Sequence, residues 1–332
     1  MSTIPPYLYA AYSIKDPASE ATRLITSVVV EEMLHLALTS NLLLALGGEP
    51  DFGAGLLSSY PSTLSHHKPD LPLELRRCTP DLVRDTFMVI ERPEDLSAPP
   101  EADEYHTLGQ FYAALEMAIE NLEHAHPFAD PHLDRQMSDP TFYGAVEFDA
   151  KDSGGLMPVH DAASAKAAIE VIVHQGEGLG EERWADPAHQ ELTHYYKFAQ
   201  LADGSVPVGD TWPVVSNPRA ADYPPDVRLA ADLFNMGFTA LIGTMEALYA
   251  AGSDQGAEVG RLYGLMSNVL SPTARHLVTM PLDEHTTGGP TFEWFDFHDD
   301  PARLAAEMAQ SIGETIPALA DVASAFAVMV KS

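Results

Sequence analysis

Two short motifs carry residue types suited to holding a metal ion. In Val30-Glu31-Glu32-Met33-Leu34-His35-Leu36, two carboxylates and an imidazole interrupt an almost continuously apolar stretch. Glu32 and His35 are three positions apart, so on a helix both project from one face, about a turn along. An ionised carboxylate left unpaired in such a place costs on the order of several kcal/mol. A metal ion removes that cost, and so does a hydrogen bond to the histidine alone. A second copy, Glu191-Leu192-Thr193-His194, precedes Tyr195, Tyr196 and Phe198. Two Glu-x-x-His pairs on separate helices, completed by a glutamate from each of two others, form the ligand set of di-iron and di-manganese bundles. Oxygen and imidazole donors suit iron or manganese, with the carboxylates supplying charge balance.

Further carboxylates lie nearby in sequence. Glu116 borders the stripe of Tyr112, Leu115 and Ile119 and is the candidate inward carboxylate of its helix. The alternative is a solvated face shared with Glu120 and Glu123. Glu177, in Gln175-Gly176-Glu177-Gly178, either approaches a metal closely or ends a helix. His174 is a weaker candidate, and the loop pair His66-His67 has no evident partner. The expected metal-ligand set is Glu32, His35, Glu116, Glu177, Glu191 and His194.

Helices must position these groups. From Glu20 to Leu46 the apolar pattern is nearly unbroken, and it stops at Gly47-Gly48 before Pro50. A helix apolar on most sides is a buried one. A shorter helix is expected over about 4–14, its prolines tolerated in the first turn. Others are expected over about 103–124 and 162–201, the last with a polar break after Gly178. Residues 49–102 read as a long connection with a short strand or helix near Leu82–Ile90. Two helices over about 226–251 and 258–269 and one from 301 to 330 complete the chain. The pattern describes a single all-α bundle, residues 1–332, with long irregular connections and a C-terminal helical elaboration over 226–332.

Composition narrows the function. The 332 residues hold 49 acidic and 18 basic side chains, a net charge of −31. That field repels nucleic acid and anionic membranes. A single cysteine, Cys78, excludes an intrachain disulfide and fits a reducing compartment. Without a paired Cys-His motif it reads as a small apolar side chain rather than a catalytic thiol. The N-terminus has no basic run leading into an apolar stretch, and no wholly apolar run approaches the roughly 20 residues of a membrane span. A cytoplasmic, soluble protein is expected.

Several segments together resemble the ferritin-like domain family named for iminophenylpyruvate dimer synthase, which occurs in violacein and rebeccamycin pathway enzymes. Thr3-Ile4-Pro5-Pro6-Tyr7-Leu8 with Ala11-Tyr12-Ser13-Ile14 is similar to its first helix. Glu31-Glu32-Met33-Leu34-His35-Leu36, Asn41-Leu42-Leu43 and Gly47-Gly48-Glu49-Pro50 resemble its second, and Gly109-Gln110-Phe111-Tyr112 its third. Ile172-Val173-His174-Gln175-Gly176-Glu177-Gly178 and Glu191-Leu192-Thr193-His194-Tyr195-Tyr196-Lys197-Phe198 resemble the fourth region. Gly289-Pro290-Thr291-Phe292-Glu293 matches a segment near the family's end.

The resemblance implies a ferritin-like bundle with a metal centre, with Glu32, His35, Glu177 and His194, then Glu191, as its site residues. The family commonly carries an acidic residue just before Thr-Ile-Pro-Pro, where the chain has only Met1 and Ser2. It also commonly has an acidic residue in place of His174, and the pathway enzymes have a large additional region. The expected activity is a non-haem, iron-dependent oxidase or oxygenase acting on a small amino-acid-derived metabolite in specialised metabolism. The iron is held as one or two ions, with manganese or zinc as alternatives. Tyr7, Tyr12, Tyr112 and Tyr195 are candidates to line its pocket, and partners would be a second copy or a biosynthetic enzyme. The competing expectation is a metal-binding or scaffold protein without turnover and with an incomplete site.

Overall fold

Ser19 starts the longest helix: its hydroxyl accepts the Thr22 backbone N–H at 3.2 Å, satisfying a donor that no helical carbonyl can reach. This helix, α2 (Glu20–Ala45), ends as the two glycines require. Gly47 takes a φ of +79°, and the Gly48 and Gly47 N–H groups donate to the Leu43 and Leu44 carbonyls at 2.8 and 2.9 Å. The computed structural model describes residues 1–56, 59–65, 67–92, 108–122, 128–143, 154–176, 192–298 and 300–331.

Among the described residues, α2 is the helix long and apolar enough to cross a membrane, yet most of that stretch is buried inside the protein. Each stretch of it serves a different part of the core. Leu24, Ile25 and Val28 pack with α1 (Ile4–Ser13), the segment 80–90 and α7 (His194–Asp203). Leu34, Leu38 and Leu42 meet Ile119 of α5 (Leu108–Leu122) and Ile169 and Ile172 of α6 (Ala162–Gly176). Ala37 and Leu44 join a third core built largely by the C-terminal helices.

Residues 80–90 form one helical stretch. Thr79 caps α3 (Pro80–Leu82), a π-helical turn spans Val83–Phe87, and α4 (Met88–Ile90) follows. The short element expected near Leu82–Ile90 is therefore helical. Helix α5 covers the middle of the expected 103–124, whose ends lie outside the described residues. Helix α7 starts at His194, after an extended Thr193, rather than at Glu191.

The C-terminal part contains α8 (Pro225–Leu248), α9 (Gln255–Gly264), a second π-helical turn (Leu265–Leu270) and α10 (Ser271–Leu277). The expected helix from 301 to 330 is two helices, α11 (Pro301–Thr315) and α12 (Ala320–Met329). Pro317 explains the break: it lacks an N–H and forces Ile316 out of helical geometry, to φ −132° and ψ 72°. The described strands are two-residue segments, Ser62–Thr63 paired antiparallel with Pro72–Leu73. The fold is the expected all-α class.

Two outcomes follow from this packing. Leu38, fully buried between α2 and α6, should lose about 2–5 kcal/mol of unfolding free energy on Leu38→Ala in a urea titration. Burial pushes the Cys78 thiol up to about 12, so a thiol reagent at pH 8 should leave the native protein unlabelled. Denaturation should then release one reactive thiol.

Candidate metal centre

Helices α1, α2, α4, α6 and α7 converge on a cluster of buried ionisable groups. From α2 come Glu31, Glu32 and His35, which a helical repeat places within about 100° of one another. Glu91 follows the last residue of α4 and is 2% exposed. His194 opens α7 with no exposed surface, and Lys197 lies one turn further on, 1% exposed. Gln175 comes from the end of α6.

The imidazoles link the carboxylates. His194 faces Glu31 through Nε2 at 2.9 Å. Its Nδ1 faces Glu91 at 3.2 Å and Glu32 at 3.4 Å. His35 Nδ1 is 3.1 Å from Glu32, while its Nε2 meets the Gln175 side-chain oxygen at 2.9 Å. The two rings stand 5.4 Å apart. Lys197 donates to Glu31 at 2.6 Å and Tyr7 to Glu91 at 2.6 Å. At the start of α1, the Thr3 hydroxyl donates to Glu32 at 3.3 Å.

Electrostatics follow from this crowding. Desolvation alone would lower the pKa of His194, but Glu91 and Glu31 outweigh it and hold the ring at about 10. Desolvation likewise works to raise Glu32, yet the hydrogen bond and charge of His35, with His194, bring it down to about 2. Burial, reinforced by Glu91 and Glu32, drives the Tyr7 phenol well above its ordinary range. His194 is also the first residue of α7, so the positive dipole end of that helix lies beside the carboxylates.

Ligand atoms of Glu32, Glu91 and His194 lie within 4.8 Å of one another. Two donors bound to one ion at about 2.1 Å and near right angles stand roughly 3 Å apart. Three donor pairs, His35–Glu32, His194–Glu91 and His194–Glu32, at 3.1, 3.2 and 3.4 Å, match that spacing. A Cβ at Gly176 would stand 3.6 Å from Glu91 Oε2 and 4.0 Å from His194 Nδ1, so the backbone reaches the donors with no side chain between. The Thr193 hydroxyl, beside His194, is buried with no hydrogen-bond partner among the described residues. The donor set, carboxylate and imidazole, fits iron or manganese.

Of the residues expected from sequence, the structure brings Glu32, His35 and His194 together. Glu116 lies 3.8 Å from Lys166, which also pairs with Glu120 at 3.4 Å, and Glu116 is not a member of the close ligand group. Glu177, Glu191 and Glu123 lie outside the described residues. Leu192 and Thr193 are not helical, so α7 does not provide the one-face spacing assumed for Glu191 and His194. Glu91, Lys197 and Gln175 were not expected in the site, and Glu31 had been passed over for its neighbour. The charged end of the apolar run Phe87-Met88-Val89-Ile90 was the available signal for Glu91. With α1 offering Thr3 rather than an acid, Glu91 supplies a carboxylate facing Glu32.

The Lys197 ammonium offsets Glu31 in a region closed to water. Lys197→Met should therefore lower metal-free stability by about 3–5 kcal/mol in urea unfolding. Adding Glu31→Gln to that variant should recover part of the loss, because the orphaned charge is then gone.

A family model described as Ferritin-like matches residues 1–203. Dichlorochromopyrrolate synthase of Lentzea aerocolonigenes is 26% identical over 316 residues, covering 81% of this chain but only 29% of that protein's length. A solved ferritin-like protein from Caulobacter vibrioides superposes with a TM-score of 0.59 at 25% identity, covering 81% of this chain and 89% of the other. With the family model spanning more than half its length, the chain belongs to the ferritin-like family.

Proposed function

We propose that this protein is a non-haem, iron-dependent oxidoreductase of specialised metabolism acting on a small amino-acid-derived compound. The observation that carries it is the buried grouping of Glu32, Glu91 and His194, with His35 alongside. These four side chains would hold the metal, and bound iron would supply one-electron redox chemistry with O2. Glu177 and Glu191 remain proposed contributors. Residues 1–332 are proposed as one domain, the helices beyond 226 elaborating the bundle, in a cytoplasmic protein that self-associates or meets a biosynthetic partner enzyme. Support for the metabolic setting comes from the similarity to dichlorochromopyrrolate synthase, whose length the chain covers only in part.

The protein's own groups have separable tasks. Tyr7 and Thr3 orient Glu91 and Glu32 through hydrogen bonds, and Gln175 fixes the ring of His35. Lys197 holds Glu31 in place through its hydrogen bond, and Glu31 in turn orients His194. The apolar residues of α1, α2 and α7 around the cluster keep water out.

One observation favours a second reading, metal binding without turnover. Lys197 and His194 already neutralise much of the carboxylate charge from within the protein. Reconstitution of untagged protein with ferrous iron, followed by desalting and elemental analysis, tests the site. Wild type should retain iron, and Glu32→Ala, Glu91→Ala and His194→Ala should each retain at least tenfold less. Retention of no iron, manganese or zinc by wild type would sink both readings. O2 uptake with amino acids and 2-keto acids then separates catalyst from binder.

A further inference from the structure

Helices α1 and α2 form a wall with two functional faces. Thr3 and Tyr7 of α1 and Glu31, Glu32 and His35 of α2 face the metal cluster. The opposite faces, with Ile4 and Leu8 on α1 and Val29, Met33 and Ala37 on α2, border a cavity of about 530 Å³. Its far wall is α8 and the run from α9 through the second π-helical turn to α10. Most of the cavity thus lies across the α1–α2 wall from the metal cluster, which it approaches at Met1 and Ser2, and helices shape most of it.

Its shape is elongated. Lining residues on α2 run from Thr22 to Ala37, about 22 Å at the helical rise, and the opposite wall runs a similar distance from Leu262 to Arg275. Spread over that length, the volume describes an elongated, mainly apolar channel. One end is polar. There Arg275 stands over Tyr12 at 5.3 Å from the ring centre, and its Nη1 donates to the Ile14 carbonyl at 3.2 Å. No other Arg275 hydrogen bond is found among the described residues, so most of the guanidinium fork remains free to donate, with the exposed Asp16 as its nearby acid. The other end, near Ala37, Phe142 and Leu262, is apolar. The wall between them carries a π-helical turn, a distortion that frequently marks functional sites.

We propose that this slot binds a long-chain alkyl carboxylate, its carboxylate on Arg275 and its chain running toward Ala37. A guanidinium at one end of a long apolar channel suits an anionic head and a long apolar tail, while the Met1 ammonium, which also borders the cavity, is turned toward Glu32. The head group sits at the end marked by Arg275 and Tyr12, and binding there does not depend on the redox activity.

Calorimetric titration of the full-length protein with dodecanoate, tetradecanoate and hexadecanoate tests this. One molecule should bind per chain, more tightly as the alkyl chain lengthens. Arg275→Met should weaken hexadecanoate at least tenfold while leaving hexadecanol within threefold of wild type. Leu241→Trp, which fills the middle of the slot, should abolish both. Retained iron should be unchanged in each variant, which also reports that they fold. The proposal is overturned if no alkyl acid binds, if Arg275→Met leaves acid binding unchanged, or if indole-3-propionate binds in place of the alkyl acids.

Discussion

Three carboxylates are gathered at close separation around the one ring of His194, Glu31 on Nε2 and Glu91 and Glu32 on Nδ1, with Glu31 and Glu91 buried and Glu32 partly so. Like charges at that separation, away from water, repel strongly enough to unfold a domain unless cations are brought to them. Much of the local structure answers that demand. Lys197 gives up solvent entirely to reach Glu31, and His194 is drawn into its charged form between Glu31 and Glu91. The positive dipole end of α7 starts at His194, while Tyr7 and Thr3 bring neutral donors from α1. A metal ion entering the cluster would compete with the His194 proton for the same lone pairs, so metal binding and protonation are alternatives here.

Helix α2 carries this chemistry because it is buried along nearly its whole length, and its faces have been divided. One face presents acids and an imidazole to the cluster, another packs on α6 through Leu34, Leu38 and Leu42, and a third borders the apolar cavity. The division explains why so apolar a helix tolerates adjacent glutamates. It also separates polar chemistry from apolar binding by no more than one helix diameter, about 10 Å.

The sequence made visible those parts of the site that obey helical periodicity. Glu32 and His35 stood out because charges in an unbroken apolar helix demand partners, and the ends of α2 were written in Ser19 and Gly47-Gly48. His194 was found through a motif whose assumed geometry does not hold, since the helix begins at that histidine. Glu91 was hidden because it follows a π-helical turn in a stretch rich in proline and serine, where neither period applies. Lys197 was read past because a lysine next to aromatic residues ordinarily keeps its head in water. Glu116 depended on how α5 rotates against α6, and one helix's pattern does not contain that angle. The break at Pro317 was legible and overlooked, because apolar spacing continued on both sides.

The π-helical turn at Val83–Phe87 has a consequence for how this site can vary. Such a turn accommodates one residue more than an α-helix would in the same axial length. Deleting a single residue there would restore ordinary winding and leave whatever follows facing as it does now, whereas keeping all five residues in α-helical winding would swing it by about 100° around the axis. Only in the second case would Glu91 point away from His194, although the sequence itself was unchanged. A one-residue gap in this segment is thus compatible with the same ligand set. A homologue that retains the glutamate but lacks the extra residue should be counted as keeping it.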